Sequence, residues 1–360
     1  MGRSGRATIP CDGAASTKLE DDYIHGEPST QIPMTVTSKM GVDQISDILR
    51  SRGVLDLTSL LDPSLTNSYP ISRGGSADIY HTRLQHGSDV AVKCLRLSLG
   101  YSNPGNKALK HIAHELYVWS KCNHPNVLEL MGMALFRGQI SLISPWMENG
   151  SLPLFLERHP NAPRYELCAQ IAGAVAYLHD IGIVHGDIKG LNVLVSKDHT
   201  IKLGGFGNAQ ISRNSVQFSE SSDTRGMSFR WAAPELIMEE SQGPTIYTDV
   251  YSLGMTILEI ISGTVPYNDL GSDMRVLASI IRRVLPRRPE QLSNDQIGGD
   301  ILWSLLLRCW SVDPPDRPPA SDVWEEIEVL STTAKDGSCN QSVSLSSIVF
   351  PPAPTTSMQK

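Results

Sequence analysis

HGDIKGLNVLVSKDHTIKLGGFG, residues 185–207, sets an acid, a lysine and an amide at fixed offsets: Asp187, Lys189 and Asn192. Apolar Val193, Leu194 and Val195 follow, then a polar turn, then Ile201, Lys202 and Leu203 running into Gly205-Phe206-Gly207. The two short apolar runs predict a hairpin. A polar cluster placed directly ahead of an apolar strand lacks a common structural reason, so it marks chemistry.

Upstream of this hairpin the chain reads as strands. Ile71 to Tyr80 contains the glycine pair Gly74-Gly75, and Asp89-Val90-Ala91-Val92-Lys93 follows as a second strand. Asn106 to Lys121 has helical spacing, with Glu115 on the side of Ile112 and Trp119. His124-Pro125-Asn126 breaks that helix, and Val127–Leu135 and Gln139–Ile143 are short enough for strands. Earlier still, Val42 to Leu61 begins as an amphipathic helix interrupted by Gly53, predicted to pack on the domain that follows.

Downstream, helical patterns dominate. Tyr165–His179 keeps Leu167, Ile171, Val175 and Leu178 on one face, and Asp249–Ser262 is nearly apolar all round, which predicts a buried helix. Ile301–Trp310 and Val323–Leu330 are further helices, while Ser212–Phe229 is a polar loop. Strands first and helices afterwards predict an α+β chain of two lobes.

Composition narrows the function classes. The net charge of −7 over 360 residues argues against nucleic acid as a partner. Six cysteines at 11, 94, 122, 168, 309 and 339 show no CxxC spacing, which predicts reduced thiols and no zinc site. No apolar run approaches a membrane span, and the N-terminus lacks a secretory signal core. Gly2 is not in a myristoylation motif, since Arg6 stands where Ser or Thr is required. A soluble, cytoplasmic protein is predicted.

Each polar motif also has an ordinary reading. Glycine pairs are common in turns, Lys93 can be a lysine extending from a half-buried strand, and Glu115 can belong to a solvated helix face. Their order along one chain is harder to dismiss. Ala233-Pro234-Glu235, Asp249-Val250-Tyr251-Ser252-Leu253-Gly254, Cys309-Trp310 and Asp313-Pro314-Pro315-Asp316-Arg317-Pro318 extend the same order.

With these motifs in sequence the chain resembles a eukaryotic protein kinase domain of the tyrosine-kinase-like group. The HGDIKGLNVL wording is similar to the expanded kinases of mushroom-forming (basidiomycete) fungi. Aminoglycoside-phosphotransferase-type kinases share the His-Gly-Asp and Asn spacing but lack the Ala-Pro-Glu segment, the Asp-Arg-Pro closure and a lysine at the position of Lys189.

The resemblance implies a bilobal kinase fold over residues 67–330, with an N-lobe at 67–143, a hinge at 144–148 and a C-lobe at 149–330. A disordered segment 1–40, a helical preface 41–66 and a disordered tail 331–360 complete the predicted layout. ATP is the implied cofactor. Adenine would contact Ile71, Ile79, Ala91, Ser144, Met147 and Leu194, with Ser144 at the gatekeeper position. Gly74 and Gly75 would cover the phosphates. Lys93, oriented by Glu115, would hold the α- and β-phosphates. Asp187 would orient the acceptor hydroxyl, Lys189 would meet the γ-phosphate, and Asn192 would ligate Mg²⁺. Lys189 points to Ser or Thr as acceptor, and Arg317 is expected to pair with Glu235. The partner is a protein, as substrate or as signalling target.

Four departures qualify this resemblance. Ser72 and Ala77 replace two loop glycines, and Ser76 replaces an aromatic tip. Gly186 stands where many kinases have an arginine that receives a loop phosphate, so Ser219, Ser221, Ser222 and Thr224 are not expected to act as an on-switch. Gly205 removes the aspartate that is the principal magnesium ligand. Losing roughly 3–5 kcal/mol of metal stabilisation costs about 10²–10⁴ in rate. Phe206, however, can still pack with His185, Trp119 and Leu130. Two function classes follow: a pseudokinase that binds nucleotide and acts through a partner, or a weak Ser/Thr kinase with magnesium on Asn192 alone.

Overall fold

The alternation of β-branched and polar residues before residue 145 forms an antiparallel sheet in the computed structural model. The structure describes residues 40–62, 69–73, 77–95, 104–211, 228–294 and 296–336. Gly74, Gly75, Ser76 and the loop residues Ser219, Ser221, Ser222 and Thr224 lie outside the described residues, as do segments 1–39 and 337–360.

Helix α1 (Val42–Ser51) comes first, with Gln44 folding back to accept from the Gly41 N–H at 3.1 Å. Its Ile45 and Leu49 are buried, a stabilisation of about 1.5–3 kcal/mol each. Strands β1 (Ser72–Arg73), β2 (Ala77–Arg83), β3 (Asp89–Leu95), β4 (Gly132–Phe136) and β5 (Gln139–Pro145) make one sheet in the order β1-β2-β3-β5-β4. Helix α2 (Pro104–Trp119) lies between β3 and β4 in sequence and packs on β5.

The period of two sorts β3 into two faces. Val90, Val92 and Cys94 enter an apolar cluster with Tyr80, Leu84, Phe136 and Ile143. Ala91 and Lys93 are half-buried on the other face, where Ile79 pairs across from Lys93.

The strand expected over 127–135 is shorter than predicted and begins at Gly132. Val127 and Leu128 turn to the other lobe instead, where Leu128 N–H donates to Leu203 O at 2.8 Å. Their apolar character reflects burial at the lobe junction, which periodicity alone does not distinguish from a sheet position.

The second lobe contains α3 (Leu152–Arg158), α4 (Arg164–Asp180), β6 (Ile183–Val184), β7 (Val193–Val195), β8 (Ile201–Leu203), β9 (Gln210–Ile211), α5 (Pro234–Ile237), α6 (Ile246–Ser262), α7 (Asp273–Ile281), α8 (Glu290–Asn294), α9 (Gln296–Cys309) and α10 (Ala320–Asp336). The expected hairpin is β7–β8, with Leu194 opposite Lys202. Helix α6 is buried from Thr248 to Ile261, and α4 packs between it and α10. Thr245 caps α6 by accepting from the Thr248 N–H at 3.2 Å. Helix α10 continues beyond residue 331 to Asp336, into the segment predicted to be a disordered tail, and Ser331 is buried. A sheet-based lobe followed by a helical lobe is the α+β bilobal kinase fold.

Arg317 fixes the base of the second lobe. Its guanidinium is bidentate to Glu235 at 2.6 and 3.0 Å, donates to the Tyr247 and Ser311 carbonyls, and lies over the Tyr251 ring. Burying an arginine this completely requires that every donor direction be met.

Candidate active site

Lys93 Nζ lies 2.6 Å from Glu115 Oε1. Glu115 is 2% exposed, so its charge depends on that partner. Helix α2 is held in this position by contacts in its C-terminal turns. Trp119 Nε1 donates to Leu128 O at 2.5 Å, and His114 Nε2 lies 2.7 Å from Ala209 O. The Trp119 ring stacks on Phe206 with centroids 5.7 Å apart, and His185 meets Phe206 edge-on at 5.2 Å. Leu130 packs against the same core. Trp119 and His185 thus pack on Phe206 as expected.

Asp249, in the first turn of α6, orders the start of the hairpin at 185–207. Its carboxylate accepts from the His185 N–H at 2.7 Å and the Gly186 N–H at 2.8 Å, with His179 Nε2 at 3.0 Å. His185 is fully buried. Its Nδ1 accepts from the Asp187 N–H while Nε2 faces Gly204 O at 3.0 Å, which fits the neutral tautomer with Nε2 donating. Burial pushes its pKa down.

Asp187, Lys189 and Asn192 converge as their spacing predicted. Asp187 Oδ2 accepts from Lys189 Nζ at 2.7 Å and from Asn192 Nδ2 at 2.8 Å. Asn192 Nδ2 also donates to the Asp187 carbonyl at 2.7 Å, and Lys189 reaches Ser228 Oγ at 2.6 Å. Gly186 has φ of 75°, and a Cβ there would lie 2.9 Å from Asn208 O and 3.0 Å from Pro244 Cγ. The space beside residue 186 is filled.

Gly205 is also left-handed, with φ 88° and ψ 46°. A Cβ built on it would lie 2.7 Å from Asn192 Cγ and 2.8 Å from Asn192 Oδ1. The asparagine amide thus occupies the ground in front of residue 205. Among the described residues no group of three or more His, Cys, Asp or Glu side chains is placed to hold a metal ion.

The residues expected around adenine lie on connected elements. Ser144 is opposite Ala91 in the β3–β5 register, and Ile71 N–H donates to Ile79 O at 2.8 Å. Met147 closes a turn with Gly150, and Ser151 bridges Leu194 on β7. Ile71 is 51% exposed, whereas Ser144 is buried. Gly74 and Gly75, expected over the phosphates, lie outside the described residues.

Glu259 was not among the expected residues. It is buried in α6, and its Oε2 accepts from the Gly190 N–H at 3.0 Å and from Trp231 Nε1 at 2.8 Å. It joins the hairpin at 185–207 to residues 230–235, which end in Ala233-Pro234-Glu235. Burial pushes its pKa up to about 7, against the opposing pull of those two donors and of Lys189. A carboxylate in the apolar second half of α6, well past Asp249, was the available sequence signal.

Comparison with known proteins fits this arrangement. The model of the protein tyrosine and serine/threonine kinase family matches residues 65–327. Mitogen-activated protein kinase kinase kinase 3 of Arabidopsis thaliana is 31% identical over 273 residues, 74% of this chain and 45% of that protein. Mitogen-activated protein kinase kinase kinase 1 of the same plant is 30% identical over 256 residues, 70% of this chain and 40% of that protein. A probable serine/threonine-protein kinase of Dictyostelium discoideum is 30% identical over 257 residues, 69% of this chain and 26% of that protein. The chain spans less than half the length of these relatives. On the family match and the two-lobed fold, the chain belongs to the protein tyrosine and serine/threonine kinase family.

Proposed function

We propose that the chain is a nucleotide-binding signalling module whose Ser/Thr-type phosphotransfer is severely reduced or absent, a pseudokinase acting through a protein partner. The family uses ATP with Mg²⁺, and ATP binding is implied by membership. The observation that carries the pseudokinase reading is the Asn192 amide lying against Gly205. Magnesium favours near-octahedral oxygen coordination with one or two carboxylates beside the phosphates. Here residue 205 has no side chain, Asp187 Oδ2 is engaged by Lys189 and Asn192, and Asn192 offers a metal only its neutral Oδ1, since its Nδ2 donates to Asp187. These donors fit a magnesium ion poorly, and Lys93 is left as the main positive charge for the phosphates.

In this reading Ile79, Ala91, Ser144, Met147 and Leu194 line the adenine site, and Lys93 with Glu115 orients the phosphates. The layout proposed with it is a kinase domain at 67–330 carrying terminal extensions, in the cytoplasm. No helix among the described residues is long and apolar enough to cross a membrane. Placement beside the kinases of mushroom-forming fungi rests on the HGDIKGLNVL wording.

A second reading keeps activity. The convergence of Lys189 on Asp187 and Ser228 favours it, with a protein Ser or Thr as acceptor, as in the serine/threonine-protein kinase relative. Titrating ATP against the melting temperature with and without Mg²⁺, alongside phosphotransfer to a generic protein substrate, separates the two. An ATP shift indifferent to Mg²⁺ with no turnover supports the pseudokinase. A large Mg²⁺-dependent shift, with turnover abolished by Asp187→Asn, overturns it.

A further inference from the structure

Residues 40–62 precede the stretch matched by the family, yet they are built into the first lobe at three places. Helix α1 packs on α2 and β5 through Ile45 and Leu49, which share one apolar cluster with Ile112, Leu116 and Trp119 of α2. Arg52 lies over the Tyr117 ring of α2 at 5.9 Å. Beyond Gly53 the chain turns extended and joins the edge of the sheet. Leu57 N–H donates to Met133 O and Met133 N–H donates to Leu55 O, both at 2.8 Å. Gly132 admits this approach, because a Cβ there would collide with the Leu55 carbonyl. Finally Leu61 bridges Leu84, and Gln85 N–H donates to Leu60 O at 2.9 Å.

Asp56 ties the first two places together. Its Oδ2 accepts from Arg50 Nε at 3.0 Å and Nη2 at 2.6 Å, and its Oδ1 accepts from the Thr58 N–H and hydroxyl. The Thr58 hydroxyl oxygen in turn accepts from the Leu135 N–H on β4 at 2.9 Å. One carboxylate therefore fixes the end of α1 relative to the strand edge.

The helix clamped in this way is the one that carries Glu115. We propose that residues 40–62 are a brace that holds α2 where Glu115 reaches Lys93, with Leu49 and Asp56 as positioning residues for that pair. A segment that sets the position of α2 sets the occupancy of the nucleotide site by the same coupling. The nucleotide arm of this inference rests on the proposed ATP binding; the arm concerning α2 does not.

The test uses the full chain carrying Leu49→Ala, Asp56→Ala or the milder surface change Arg52→Ala. Amide hydrogen exchange is measured without nucleotide, and ATP affinity is measured in the wild-type and Glu115→Gln backgrounds. Expected is faster exchange over residues 112–119 with α6 and α9 unchanged. An ATP affinity about tenfold weaker for Leu49→Ala is also expected, vanishing when Glu115→Gln is already present. Exchange that rises equally through α6 and α9, or stays unchanged in all three variants, overturns the brace. So does an affinity loss that adds in full to that of Glu115→Gln. If the wild type binds no ATP, the nucleotide reading fails, and the exchange of α2 alone decides the brace.

Discussion

Asn192 stands where a side chain on Gly205 would begin, its Cγ 2.7 Å from the ideal Cβ position. Any residue but glycine at 205 must therefore displace the amide and adopt a left-handed backbone. Gly205→Ala is expected to lower stability by about 1–3 kcal/mol, read by thermal or denaturant unfolding. Gly205→Asp carries the same strain but adds a carboxylate. It is expected to make the ATP-induced melting shift depend on Mg²⁺ and to raise phosphotransfer at least about 10² above the parent. If both variants respond identically to Mg²⁺, the asparagine still blocks the metal position.

Removing one member of the Lys93–Glu115 pair strands the other. Glu115 is nearly inaccessible whereas the Lys93 side chain is 25% exposed, so the losses are unequal. Lys93→Met leaves a buried carboxylate without its cation and is expected to cost about 3–5 kcal/mol. The double variant Lys93→Met/Glu115→Gln should recover part of that stability while leaving ATP binding weak. Urea denaturation of the four proteins checks the cycle, and equal stability of the single and double variants would count against it.

Glu259 predicts a pH dependence with a definite sign. The unfolded carboxyl ionises near 4.5 and the folded one near 7. Between those values the folded chain holds a proton that the unfolded chain has released, so this group's contribution to stability falls as pH rises through the window. Above about 7 it is flat. The full excursion is roughly 3 kcal/mol at 1.36 kcal/mol per unit. Glu259→Gln keeps an acceptor for Gly190 and Trp231 and should flatten this part of the profile between pH 5 and 7. A profile with the same slope in both proteins would assign the dependence to other groups.

Gly186 offers a contrasting case. Restoring the arginine found there in many kinases would force a left-handed backbone to accept a Cβ against Asn208 O and Pro244. Gly186→Arg is expected to cost about 2 kcal/mol or more and to confer no response to phosphorylation at Thr224. Thr224→Ala is expected to leave function intact. Melting curves and a nucleotide-binding measurement on both variants test this, and loss of function in a folded Thr224→Ala protein would overturn it.

Much of this site was legible in the sequence. The offsets of Asp187, Lys189 and Asn192 brought those side chains together, and the distant partners Lys93–Glu115 and Arg317–Glu235 met as expected. Motif order carries such pairings because each motif belongs to an element whose place in the fold is set. The contacts that spacing missed are local and steric. Nothing in the wording Gly-Gly-Phe-Gly indicates that the Asn192 amide lies against residue 205. The apolar run at Val127 concealed a crossing between lobes, since burial by either lobe selects the same residues. The preface was readable as a helix that packs, but not as a bridge to the sheet edge, because Leu55 and Leu57 pair with Met133 through backbone atoms.

The docking of residues 55–57 on β4 also has a protective side. Strand β4 is the last in its sheet, and Leu55 shields the Met133 N–H that an open edge would offer to another chain. A fragment cut at the family boundary near residue 65 would bare that edge, together with the α2 surface now covered by Ile45 and Leu49. Such a fragment is expected to self-associate through strand pairing. A fragment that starts near residue 40 keeps both surfaces covered and is expected to stay monomeric where the shorter one does not, which light scattering of the two would check.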